Sequence, residues 1–170
     1  MRLQGSKPEF SVMKGSDISL SGEALVELLR AVLIKGASVR FQAKGFSMSP
    51  FIKNNDVVTI SPLQGTQPSL GDIVAFAHPE TQGLYIHRIV RNKDGFCVTK
   101  GDNRSQTEES VPIKNILGSV TRVERDGRHV FLGLGPERFL IAFLGRRGLL
   151  FPLFLPLWRI VRPFVRRPER

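Results

Sequence analysis

Two residues of this chain have the chemistry for covalent catalysis. Ser47 sits in Gly45-Phe46-Ser47-Met48-Ser49-Pro50, and His87 in Ile86-His87-Arg88-Ile89-Val90. A serine hydroxyl is a weak nucleophile until a base takes its proton and a rigid turn holds it still. Glycine before it lets the backbone approach a substrate, and proline three places after it stiffens the exit. An imidazole titrates near neutrality, so His87 can accept the Ser47 proton and return it to a leaving amine. Ser49 is the rival nucleophile in the same turn. Lys100 becomes a rival base only if His87 points away. The bland alternative for the turn is a polar loop, and for Met48 it is core packing, because short motifs give false positives. His78 and His129 lie at loop or strand edges and read as surface residues.

The flanking elements must hold these two groups together. Leu25, Leu28, Leu29, Val32 and Leu33 fall on one face at helical spacing, with Ser21 as N-cap, Glu23 in the first turn and Gly36 as stop. The period then becomes two: Val39, Phe41 and Ala43 alternate with Arg40, Gln42 and Lys44, which predicts a strand running into the serine turn. Further strands are expected over 56–60, 73–76, 84–90, 96–99, 116–123 and 129–132. The turns between them include 92–95 and the hairpin pair Asp126-Gly127. Many short strands with regular turns predict a mainly β fold, a closed or rolled sheet with an N-terminal amphipathic helix. Residues 1–18 lack periodicity and read as a loose lead.

Composition narrows the partners. The 170 residues carry a net charge of +10, which suits nucleic acid or anionic lipid. From Glu137 onward there are eight Arg, two Glu and no Lys, so +6 of the +10 lies in that stretch. It is also the most apolar part of the chain. Arg interleaved with Leu, Phe and Trp favours a membrane surface over nucleic acid. No Cys/His group has zinc-ligand spacing, so neither metal nor cofactor is expected. The single Cys97 cannot form an internal disulfide, which points to a reducing compartment.

Four landmarks occur in order: the Ser47 turn, Gly71-Asp72-Ile73-Val74-Ala75-Phe76, His87-Arg88-Ile89-Val90 and Thr99-Lys100-Gly101-Asp102-Asn103. Over roughly residues 39–123 the chain resembles the signal peptidase I superfamily, which also holds the self-cleaving domains of SOS-type repressors. Histidine at 87, where bacterial housekeeping members carry lysine, is similar to the endoplasmic-reticulum-type branch. The resemblance implies a serine endopeptidase with Ser47 as nucleophile and His87 as general base. It also implies an orienting acid after Gly-Asp-Asn, which falls on Glu108 or Glu109, with Asp102 as the fallback and Arg104 as a companion of these acids. Gly45 stands where many members have a hydroxyl donor to the oxyanion, leaving the Ser47 N–H, with Met48 lining the site. The alternative is a catalytically weak or inactive peptide-binding module of the same fold.

The expected division is therefore a lead over 1–18, a signal-peptidase-like catalytic domain over 19–136 and a basic apolar tail over 137–170. The apolar runs of that tail are too short to span a bilayer and are cut by Arg146-Arg147 and by prolines. Where housekeeping members have an N-terminal transmembrane helix the chain shows the amphipathic helix pattern instead, so no anchor of that kind is expected. It is expected to be membrane-associated and peripheral, with the cytoplasmic side favoured, and to process the leader of a dedicated peptide or protein substrate. Extra core is the bland reading of the tail; docking into a transporter partner is another.

Overall fold

The structure, a computed structural model, describes residues 9–11, 22–63, 65, 67–103, 108–150, 152 and 156. Helix α1 (Gly22–Ile34) buries Val26, Leu29 and Leu33, each stabilising by about 1.5–3 kcal/mol. Gly36, at φ 77°, ends it as expected. The Ser21 cap lies outside the described residues.

Among the described residues, nine strands form one sheet in the order β1-β2-β3-β8-β4-β5-β6-β7, with β9 on β8. They are β1 (Glu9–Ser11), β2 (Ser38–Gln42), β3 (Val57–Ser61), β4 (Ile73–Ala77), β5 (Leu84–Lys93), β6 (Phe96–Lys100), β7 (Glu108–Pro112), β8 (Ile116–Arg125) and β9 (Arg128–His129). All pairings are antiparallel except β1 with β2. The mainly β expectation holds.

Three details differ from the sequence reading. Part of the lead, Glu9–Ser11, is a strand alongside Ser38–Arg40; its backbone is held by an edge that only the folded sheet supplies. The segment carrying the candidate acids is itself a strand, β7, which its Glu-Glu-Ser composition concealed. The last strand is shorter than expected and ends at His129. The Asp126-Gly127 turn is as read, with both residues at positive φ (52° and 74°).

The sheet is covered on both sides. Ile73, Ala75 and Ala77 face a core shared with α1, β2, β3 and β8. Val74 and Phe76 face a second core with Ile89, Cys97, Val111 and Ile116. Strand β4 is accordingly buried throughout, the pattern of a strand with no solvent face. Register shifts interrupt β3/β8, β4/β8 and β5/β6. Each bulge bends its strand and adds twist, which curls the sheet. A second helix, α2 (Arg138–Arg146), then lies against the domain through Ile141 and Ala142, and Ile141 joins Phe51 and Leu150 in a small third cluster.

Candidate active site

The serine turn is anchored by the residues around it. Gly45 takes φ 95°, a conformation that costs a residue with a β-carbon, and its N–H donates to Asn54 Oδ1 at 3.0 Å. Buried Met48, Phe51 and Ile52 fix the far side, and the N–H groups of Phe51 and Ile52 both donate to Met48 O. Met48 is therefore core as well as cleft wall. Ser47 itself is half-buried, and its carbonyl accepts the Asn103 N–H at 2.7 Å. That bond ties the turn to the Gly101-Asp102-Asn103 loop.

His87 projects from the middle of β5, opposite Val74 of β4, and is 2% exposed. The rings of Phe76 and Tyr85 lie 5.8 and 6.0 Å from it, so its plane is set by packing. Glu109 on β7 places Oε2 3.5 Å from His87 Nδ1. This is ion-pair distance, longer than a good hydrogen bond. The other face of the imidazole site is defined by Gly101. A β-carbon there would stand 2.7 Å from Ser47 O, 3.2 Å from Ser47 Cβ and 3.4 Å from His87 Nε2. Ser47 and His87 Nε2 thus flank one small space that glycine alone leaves open. Ser47 is a hydroxyl residue bordering that space.

The remaining acids separate by geometry. Asp102 does not face His87, which corrects its reading as a fallback orienting acid. Its two oxygens accept Arg88 Nε and Nη2 at 2.9 and 2.8 Å, while Arg88 Nη1 donates to Gly71 O and Gly133 O. Both partners are buried. Side chains alternate along a strand, so neighbours His87 and Arg88 point to opposite faces of β5. Glu108, one residue before Glu109, is turned the other way for the same reason and lies 3.5 Å from Arg91 Nη2. Lys100 is engaged elsewhere: its Nζ donates to Gly145 O at 2.8 Å, in the last turn of α2. Arg104 lies outside the described residues. His78 is half-buried in a loop, its Nδ1 accepting the N–H groups of Glu80 and Thr81, and His129 is exposed.

Ser47 lines a cleft of about 310 Å³, walled also by Phe41–Lys44 of the β2 region, Leu84–Ile86 of β5, and Leu25, Met48 and Ile52. Two strand edges meet there. Strand β1 covers β2 only as far as Arg40, and β6 covers β5 only from Arg88 onward. Among the described residues the backbone edges on both sides of the cleft are thus left to solvent. An extended chain laid between them can complete both ladders.

Sequence reasoning missed two contributors. In sequence, Gly101 reads only as part of the Thr99–Asn103 motif, beside the acidic turn. Arg88 carried a readable signal as a cation within Ile86-His87-Arg88-Ile89-Val90, where an apolar strand must supply it with a buried partner. Among the described residues no group of His, Cys, Asp or Glu is placed to hold a metal. Cys97 is buried, and burial pushes its thiol up from its ordinary pKa, which suits core packing rather than reactivity.

Comparison with known proteins gives one match. The Peptidase S24-like family model matches residues 13–121, more than half of the chain and the whole of the site just described. No curated protein and no solved structure matches.

Proposed function

The chain belongs to the peptidase S24-like family, and on that footing we propose that it is a serine endopeptidase cleaving a leader-type peptide of a dedicated substrate. His87 Nε2 takes the proton of Ser47 Oγ as that oxygen attacks the scissile carbonyl. Glu109 stabilises the imidazolium from the Nδ1 side. The proton passes to the leaving amine, and water then hydrolyses the acyl-enzyme by the same base. The Ser47 N–H is the main-chain donor for the oxyanion. The substrate lies extended between the edges of β2 and β5, with its side chains entering a shallow, mostly apolar cleft. The observation that carries this reading is the convergence of Ser47 Cβ and His87 Nε2 on Gly101, with Glu109 behind the ring.

A second reading, a catalytically weak or inactive peptide-binding module, draws on Gly45. Its N–H is committed to Asn54, and its φ of 95° disfavours a hydroxyl residue at this place. One oxyanion donor is worth about 100-fold or more in rate. Incubation with a mixed peptide library, with products mapped by mass spectrometry, decides between the two. The peptidase reading expects cleavage at one residue pattern that disappears in Ser47→Ala. Binding of peptides without cleavage supports the module. Cleavage undiminished in Ser47→Ala removes Ser47 as nucleophile.

A further inference from the structure

We propose that the outer face of α2 docks on an anionic lipid bilayer. The helix has two unlike sides. Ile141 and Ala142 are buried against the domain, whereas Phe139, Leu140 and Phe143 are 47, 58 and 50% exposed. Residues 139, 140 and 143 fall on one stripe of a helix, and Leu149 just beyond adds a fourth exposed apolar side chain.

Charge selects the occupant. Arg138 lies with its guanidinium carbon 5.0 Å from the Phe139 ring centroid, and Arg147 lies 4.4 Å from that of Phe143. Each end of the stripe therefore presents a cation directly over an aromatic face. Arg146 is exposed beside them. Among the described residues, Glu137 is turned inward, where its carboxylate accepts the N–H groups of Gly133 and Gly135, and Asp72 is paired with Arg138 at 3.1 Å. An apolar stripe with exposed Arg146 and Arg147 at one end, and with its neighbouring acids turned inward or ion-paired, complements a surface that is apolar within and anionic at its headgroups. The sequence that follows, to residue 170, continues with Leu, Phe and Trp among five further Arg and one Glu. A protein partner or a second copy of this chain would have to supply acids that this chain's own face lacks.

The helix is ordered before it binds. Nine residues are too few to hold a helix alone in water, but here the buried face, the Arg138–Asp72 ion pair at 3.1 Å and the Lys100 bond to Gly145 O hold it. Docking therefore costs little ordering entropy. The same Lys100, whose side chain reaches Gly145 O, is followed directly by Gly101, the glycine between Ser47 and His87.

The test is flotation of the full-length protein with phosphatidylglycerol-containing vesicles and with phosphatidylcholine vesicles. Binding to the former alone, weakened by salt, is expected. Phe139→Ser/Leu140→Ser/Phe143→Ser should weaken it about tenfold or more. Each of Arg146→Gln and Arg147→Gln should weaken it roughly fivefold. If the triple variant melts below the wild type, Leu140→Ser alone, at the most exposed of the three positions, serves in its place. Flotation of the apolar variant equal to wild type overturns the proposal, because the chain beyond α2 is then sufficient. Salt-independent binding to phosphatidylcholine, or self-association through this face without vesicle binding, also overturns it. None of these measurements needs peptidase activity, so their failure is distinct from failure of the peptidase reading.

Discussion

Adjacent residues on β5 show two opposite uses of a buried charge-bearing side chain. Arg88 is saturated: four hydrogen bonds of 2.8 to 2.9 Å leave its guanidinium held on every side, and Phe51 lies against it at 5.3 Å. His87 is packed against the Phe76 and Tyr85 rings and faces a carboxylate at 3.5 Å. A fully satisfied buried pair fixes geometry and has nothing left to exchange. In the proposed peptidase a base must still be able to gain and lose a proton, so its partner would orient it without consuming it. One face of the strand keeps the loop in place, and the other uses that loop.

The sharpest way to break this comparison is to replace each side chain in turn. His87→Gln, which keeps most of the buried volume, should lower the cleavage rate by about 10⁴-fold or more with a smaller change in melting temperature. Arg88→Met should do the reverse in kind, destabilising by about 3–5 kcal/mol because Asp102 is left as an uncompensated buried charge. Denaturant melts of both variants test the contrast. Equal stability losses would mean that the two faces are not divided as described.

Gly101→Ala joins the two sides in one substitution. The added carbon meets backbone as well as side chain, at 2.7 Å from Ser47 O, so Ser47 or the loop must shift. A misplacement of that size should cost about 100-fold in rate and about 1–3 kcal/mol in stability. Wild-type kinetics in this variant would show that the space between Ser47 and His87 is not the reacting space.

The acids sharpen the comparison further. Glu109→Gln should cost about 100-fold or more in rate, since the imidazolium loses its counter-charge. Glu108→Gln should cost almost nothing, its partner Arg91 being a partly exposed pair of the kind worth little. Single-turnover rates on any cleaved library peptide distinguish them. A large loss in Glu108→Gln alone would move the orienting acid by one residue.

The smallest expected effect lies at the foot of α2. Burial pushes the Glu137 carboxyl up, but the N–H donors of Gly133, Glu137 and Gly135, together with the Arg88 charge, outweigh it and hold its pKa below the ordinary 4.5. A depressed carboxylate stabilises the fold above its unfolded pKa, and that contribution disappears as pH falls through the folded value. Wild-type stability should therefore decline below about pH 4.5 more steeply than that of Glu137→Gln. Parallel acid-unfolding curves would remove Glu137 from the acid response.

The sequence by itself determined the mainly β class, α1 and most strand positions, because periods of 3.6 and 2 are local properties that burial imposes on the chain. It also carried Ser47 and His87, whose residue types and flanking turn or strand can be seen without neighbours. It left three acids open, since Asp102, Glu108 and Glu109 lie within a few residues and differ in which way a strand or loop aims them. Pairing of β7 with β6 turned Glu109 toward His87 and Glu108 toward Arg91. The buried guanidinium of Arg88 claimed Asp102. The strand Glu9–Ser11 was likewise illegible, because a short segment without alternation becomes a strand only when an edge is offered to it. The face that α2 buries was settled only by the Phe51 and Leu150 side chains that receive Ile141. Contacts between residues far apart in sequence decided each of these, and no local pattern encodes them.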